Sequence, residues 1–259
     1  MHRKGHILFI TLLVGVSLAA ESWAPQQTGS SPKSDSGKKG LFTVVEGSVK
    51  KKQVQDPDWI RAQVQTNVLG GDRVRTLLQA RAEMKLSQLD LIRLAPQTTI
   101  DIVKLYEETK EKKIATQIKV KDGDIWGKVK SVDANSSFEV SSDIAGAAIT
   151  GTVFRVHQDS ASQETQLKVY TGEVKISNVP EKMSDLTPQT IKPSQVPGPV
   201  QVPGPTQITM EEWVYLVRSY QQITIGANKQ VKSVGSFKRT DREENSDWVK
   251  WNLQRDRLR

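Results

Sequence analysis

The chain has 259 residues, 37 Lys and Arg against 29 Asp and Glu, and a formal net charge of +8. It has no Cys, which excludes a disulfide framework, a thiolate metal site, a Cys nucleophile and a lipidated N-terminal Cys. Hydrophobic residues make up 36%, enough for one modest core, and the basic balance is read as solubility and attraction to anionic envelope surfaces.

Met1-His-Arg-Lys4 is a basic start, and Ile7 to Ala20 is an uncharged apolar run. A spanning helix needs about 20 apolar residues, so residues 1–20 read as a signal peptide. Cleavage is expected after Ala19 or Ala20, because cleavage after Ala24 would place Pro25 first. The rival reading is an uncleaved anchor. No later apolar run is long enough to span, so no integral membrane span is expected after cleavage. The expected location is periplasmic or secreted. Residues 21–40 are rich in Ser, Gly, Gln, Pro and Lys and read as a disordered linker.

From Leu41 the texture is that of short strands. Thr43 to Val49 reads as a first strand, and Lys50-Lys-Lys52 as a solvated turn or strand end. Gly70-Gly-Asp72 predicts a tight turn just before a strand. Ala82, Met84 and Leu86 alternate with Arg81, Glu83 and Lys85, the pattern of a strand wet on one side. Leu89 to Leu94 and Thr98 to Leu105 are further strands. Glu107 to Lys113 lacks an apolar stripe and reads as a charged hairpin loop. Ile114, Thr116, Ile118 and Val120 share one face of the returning strand. Asp122-Gly-Asp124 reads as a turn, since calcium wants six to eight oxygens that this spacing does not supply. Phe138 to Val156 reads as strand, small-residue crossing, strand, centred on Ala145-Gly-Ala-Ala148. Thr171-Gly172 predicts a hairpin turn between Leu167–Tyr170 and Glu173–Ile176.

The pattern over 41–178 argues for an all-β sandwich, jelly roll or barrel-like domain of about ten strands. A Pro/Gly-rich linker over 179–206 follows, with the duplicated Gln195-Val-Pro-Gly-Pro and Gln201-Val-Pro-Gly-Pro. Residues 207–259 read as a small α+β unit. Thr209 and Glu212 match a capping box, and Trp213, Leu216, Val217 and Tyr220 fall at helical spacing, with Trp213 in the core. A hairpin over 223–237 follows, then a basic tail rich in Trp.

Several pieces together resemble a known family. They are Gly71-Asp72-Arg73-Val74-Arg75-Thr76, Arg93-Leu94, the Phe138-Glu-Val140 strand, Gly151-Thr152-Val153-Phe154-Arg155-Val156 and Val169 to Ile176. In order and spacing, residues 41–178 resemble the FecR domain, an extracytoplasmic module. The resemblance implies an all-β domain at the envelope, used for protein contact and not catalysis. It makes Gly71, Asp72, Val74, Arg75, Thr76, Gly151, Thr152 and Phe154 family motif positions, read as structural. The family's acidic-glycine-serine turn appears here as Ser87-Gln-Leu-Asp90. Regulators of the family carry a cytoplasmic sigma-factor-binding segment before a membrane helix. Only six residues precede the apolar run here, so that segment is not expected.

No catalytic constellation is apparent. His157 is the only His outside the N-terminal segment, and a triad needs two further residues meeting it in space. No phosphate loop of the usual spacing occurs, and no cofactor or metal is expected. Nucleic acid is not an expected partner, for want of a recognition helix, zinc spacing or glycine-aromatic signature. The tail offers Trp248, Trp251, Arg255 and Arg257 as a candidate binding element, with Trp248, Trp251 and Arg255 on one helical face. Its bland reading is packing of both Trp rings onto the C-terminal unit. The expected function is an exported, non-enzymatic envelope module that docks or senses a protein through its edge strands. The alternative is a cell-wall or glycan-associated structural protein retained through the tail.

Overall fold

The computed structural model describes residues 40–86, 90–108, 113–130, 136–180 and 212–258. The signal segment, the Pro/Gly duplication, the residues of the charged loop at 109–112 and Thr209 lie outside the described residues. The strands are β1 Gly40–Glu46, β2 Val49–Gln53, β3 Ile60–Arg61, β4 Asn67–Val68, β5 Asp72–Thr76, β6 Arg81–Lys85, β7 Leu91–Leu94, β8 Thr99–Glu108, β9 Lys113–Lys128, β10 Ser137–Ser141, β11 Gly146–Asp159, β12 Glu164–Ser177, β13 Val214–Arg218, β14 Gln221–Ile225 and β15 Val231–Ser236. A 3-10 turn, Arg242–Asn245, leads into the helix α1, Asp247–Arg257. The class is all-β.

The ladders fall into two sheets that share β9, β11 and β12. One runs β4-β1-β6-β7, then the second half of β9, the second half of β11, the first half of β12, β14 and β15. The other runs β3-β2-β5-β8, then the first half of β9, β10, the first half of β11, the second half of β12 and β13. Strands that pass from one sheet to the next make the corners of such a packing, and they do so at bends or bulges. The bend in β12 is at Gly172, with φ of +88°. A Cβ there would sit 2.7 Å from the Gly151 carbonyl oxygen, so the two strands approach as only glycine permits. Thr171-Gly172 is therefore a bulge inside one continuous strand, not the expected hairpin turn. Asp122-Gly-Asp124 is likewise inside β9, where that strand leaves β8 and joins β7.

The period-2 pattern delivers the core. Phe42, Val74, Ile100, Ile102, Ile118, Ile125, Phe154, Leu167 and Ile223 are fully or almost fully buried in one cluster fed by both sheets. Thr116, Ile118 and Val120 face inward as read from sequence. The pairing of β8 with β9 down to Glu108 and Lys113 makes the expected hairpin.

Two charged stretches depart from expectation. Lys50 to Lys52 is the interior of β2, and Lys51 is turned inward onto Asp72, Nζ to Oδ2 2.7 Å. Asp72 also accepts from the Leu69 amide at 2.9 Å and from Gln53 at 2.6 Å, so a buried carboxylate closes the Gly70-Gly71 turn. The strand at 81–85 is wet on its second face only toward its ends, with Lys85 exposed and Arg81 half-buried, because Glu83 between them is completely buried.

Where a helix was expected over 209–221, the described residues from 214 on are strand, turn and strand. Residues 214–218 form β13 against the second half of β12, and 221–225 form β14 against the first half. Trp213, Leu216, Val217 and Tyr220 thus fit helical spacing without being helical. Val214, Val217 and Ile223 are β-branched, and the exposed edge of β12 offers them a ladder, so tertiary pairing overrides the pattern. Trp213 is half-buried against the core, not within it. The hairpin of β14 and β15 is as expected. Residues after 212 therefore extend the same sheets, with the helix at 247–257 instead.

Candidate functional site

Alternation along the shared strands sends one set of side chains to the core and the other outward. On β6, β7, β9, β11 and β12 the outward set is Glu83, Arg93, Asp124, Trp126, Arg155, Lys168 and Tyr170. These residues are mostly charged, yet they are buried or nearly so. The C-terminal segment covers them. Phe237, Trp248 and Val249 pack on Ala95, Trp126 and Tyr170 as a second, smaller apolar cluster. The Ser246 hydroxyl caps α1 by accepting from the Val249 amide, with Asp247 in the first turn and Arg255 and Arg257 in the last.

Two charged groups flank that cluster. In the first, Glu83 accepts from Arg93 Nε at 2.7 Å, Arg255 Nε at 3.0 Å and Thr43 Oγ1 at 2.6 Å. Arg93 also reaches Asp256 at 2.8 Å, and Trp126 Nε1 donates to the other Asp256 oxygen at 3.0 Å. Burial alone would push the Glu83 carboxyl up. The hydrogen bonds from Arg255, Thr43 and Arg93 and the Arg93 charge outweigh it and hold the group at about 2. In the second, Asp124 accepts from Arg155 Nε at 2.8 Å and from Trp248 Nε1 at 3.1 Å. Glu244 accepts from the Tyr170 hydroxyl at 2.7 Å and from Lys168 at 3.0 Å. Burial, then the Glu244 carboxylate, raises the Tyr170 phenol. For Arg155, burial opposes the charge, but Asp124 more than compensates and raises its basicity.

These carboxylates are saturated by fixed donors, so none is placed as a free general acid or base. His157 stands 3.7 Å from Asp124 with 47% of its side chain exposed. Among the described residues no cluster of three His, Cys, Asp or Glu could hold a metal ion. The site is a fixed polar clamp between helix and sheet. Trp248→Phe should lower stability by about 2–3 kcal/mol, since it keeps an aromatic ring but loses the smaller ring of the indole and with it a buried donor to Asp124. Urea unfolding of the two proteins checks it.

Of the motif positions, Gly71 makes its turn with φ of +87° and Asp72 closes it. Val74 and Phe154 are core, Thr76 donates to the Ala95 carbonyl at 2.5 Å, and Arg75 is exposed. Gly151, with φ of 59°, and Thr152 sit at the β11 bend, where Thr152 donates to the Thr150 carbonyl. Of the tail residues, Trp248 and Trp251 stack at 5.5 Å, Trp248 is buried and Arg255 is paired with Glu83. They pack on the β-domain rather than on the C-terminal strands alone. Arg257 is exposed. The sequence reading missed Glu83, Arg93, Asp124, Asn252 and Asp256. Their signal was indirect: Val249, Trp248 and Trp251 on a short helix require an apolar surface to cover.

A second feature lies at the sheet margin. Among the described residues β13 pairs with β12 alone, because β15 runs beside β14 only. Along that open margin Val214, Tyr215 and Leu216 are exposed.

Among the described residues the molecule is thus an all-β scaffold with a clamped C-terminal helix and an open edge at β13 that exposes apolar side chains. Residues 72–175, from the start of β5 to nearly the end of β12, match the model of the FecR protein family. Two crystal structures, described as a "putative anti-sigma factor" from Parabacteroides distasonis, are similar at 14% identity and a TM-score of 0.42. Each likeness covers 63% of this chain and 59% of that chain, so this chain spans less than two thirds of its length. No curated protein matches the sequence. Among the described residues no helix is long and apolar enough to cross a membrane.

Proposed function

We propose that this chain is an exported, non-catalytic docking or sensing module of the FecR type that takes a protein partner at the cell envelope. The observation that supports it best is the open margin of β13. An edge strand presents unpaired backbone groups, and proteins ordinarily blunt such edges with charge or proline. Here three consecutive apolar side chains lie exposed along it. A partner strand laid against β13 would extend the sheet in line with β15 and cover Val214 and Leu216. The tail supports wall retention less well, since Trp248 and Arg255 are already engaged inside the molecule.

The test is crosslinking of purified protein in envelope extract, with wild type beside a Val214→Lys, Leu216→Lys double variant. A discrete protein adduct is expected for wild type and should vanish in the variant, while circular dichroism of both stays the same. An adduct that survives the two lysines, or capture of wall glycan in its place, removes the edge-docking reading.

A further inference from the structure

The outward face of β2, β5, β8 and β9 carries cations in register. Lys50 lies opposite Arg75 and Lys52 opposite Arg73. Arg75 lies opposite Thr99, Arg73 opposite Asp101, and Asp101 opposite Lys119. Their neighbours Val49, Val74 and Ile100 point into the core, so the polar set faces solvent. Part of this charge is engaged locally. Arg73 grips Asp101 at 2.5 and 2.7 Å, and Lys119 and Lys121 share Asp143 at 2.7 and 3.0 Å. Lys50, Lys52, Arg73, Arg75, Lys119 and Lys121 still outnumber Asp101, Asp122 and Asp143, so the face stays basic.

A cleft of about 780 Å³ opens on this face, lined in part by Arg75, Thr99, Lys121, Leu77 and Leu78. Arg75 is held on two sides. Its Nε donates to Thr99 Oγ1 at 3.1 Å, and its guanidinium lies 4.8 Å from the centre of the Trp59 ring. Its two terminal nitrogens have no partner among the described residues. A guanidinium fixed at one edge with the other edge open is oriented in advance for a carboxylate, which it binds with two parallel hydrogen bonds. Beside it stands Leu78, 73% exposed, next to Leu77.

We propose that this cleft docks an acidic peptide segment, with an Asp or Glu carboxylate on Arg75 and an adjacent aliphatic side chain against Leu77 and Leu78. Charge complementarity selects an anionic ligand, and the leucine wall selects a peptide over an acidic polysaccharide, which has no aliphatic group to place there. The Trp59 ring, already carrying Lys52 and Arg75, is engaged and does not serve as a sugar platform. The site is independent of the β13 margin, which lies beyond β12 in the ladder.

The test uses the full chain and a fluorescent peptide of alternating glutamate and leucine, capped at both ends so that it has no terminal carboxylate. Binding is read by anisotropy. Arg75→Ala should weaken it about tenfold, as should glutamine in place of glutamate, and the two losses should not add. Leu78→Ala should weaken it as well. Both side chains are exposed, so the variants should keep the wild-type melting curve. The Val214→Lys, Leu216→Lys protein should bind the peptide normally, which separates this site from the edge. Absence of peptide binding overturns the proposal. So does an Arg75→Ala protein that binds as wild type, or polygalacturonate bound as tightly as the peptide, which would mean general attraction to a basic face.

Discussion

Gly123→Ala should destabilise the protein by about 3–5 kcal/mol, combining left-handed strain with overpacking. Gly123 has φ of +94°, a conformation that costs any L-residue with a side chain. A Cβ there would lie 2.5 Å from Thr98 Oγ1, 2.6 Å from Thr98 Cα and 2.8 Å from the Gln97 carbonyl oxygen. Two of those atoms are backbone, so no rotamer change relieves the clash. Thr98 is itself fixed, since its amide and hydroxyl bond Thr76 and the Asp124 backbone. The position is where β9 passes from β8 to β7, so a shift there disturbs both sheets. Gly235→Ala is the matched control: its Cβ would meet nothing within 4 Å, and the change should stay within about 0.5 kcal/mol. Urea midpoints decide the matter. Equal midpoints for the two variants would refute the account of the bend.

The second large effect is at the clamp. Glu83→Ala should cost about 3–5 kcal/mol, because it leaves the wholly buried Arg93 with only Asp256 for charge compensation. The acid dependence follows from the same carboxyl. Its folded value of about 2 lies below the unfolded value near 4.5. The contribution is therefore complete above pH 4.5, declines as pH falls from there, and is gone below about pH 2. Its full size is about 3 kcal/mol, at 1.36 kcal/mol per unit. Wild type should lose stability steeply through that window, and Glu83→Gln should lose distinctly less. Identical acid limbs for the two proteins would show that Glu83 titrates normally.

The strand alternation and the turn at Gly70-Gly71 were legible because period and turn chemistry are local. So was the hairpin of β14 and β15. The bends at Gly123 and Gly172 were not: a glycine between polar residues looks alike in a turn and in a bulged strand. What separates them is the distant backbone that packs close by, at Thr98 for one and at Gly151 for the other. The helical spacing of Trp213, Leu216, Val217 and Tyr220 misled for a similar reason, since β12 supplies a free ladder that the local pattern does not reveal. Glu83 looked solvated because a charged residue alternating with Ala82 and Met84 ordinarily is. Its partners Arg93 and Arg255 lie 10 and 172 residues away. The clamp depends in part on residues beyond 175, which the family match does not cover.

The clamp also bears on the order of assembly. Asn252 and Asp256 meet Arg93 across 159 and 163 residues of chain. Contacts of such separation form late, because the entropy of closing the intervening loop must be met first. Until residues 248–256 arrive, β6, β7 and β9 can pair but leave Glu83, Arg93 and Asp124 facing water. An intermediate of that kind would carry hydrated charges where the finished molecule has a sealed seam. Its final step would then be a slow dehydration of ion pairs, sensitive to salt, while strand pairing itself is complete.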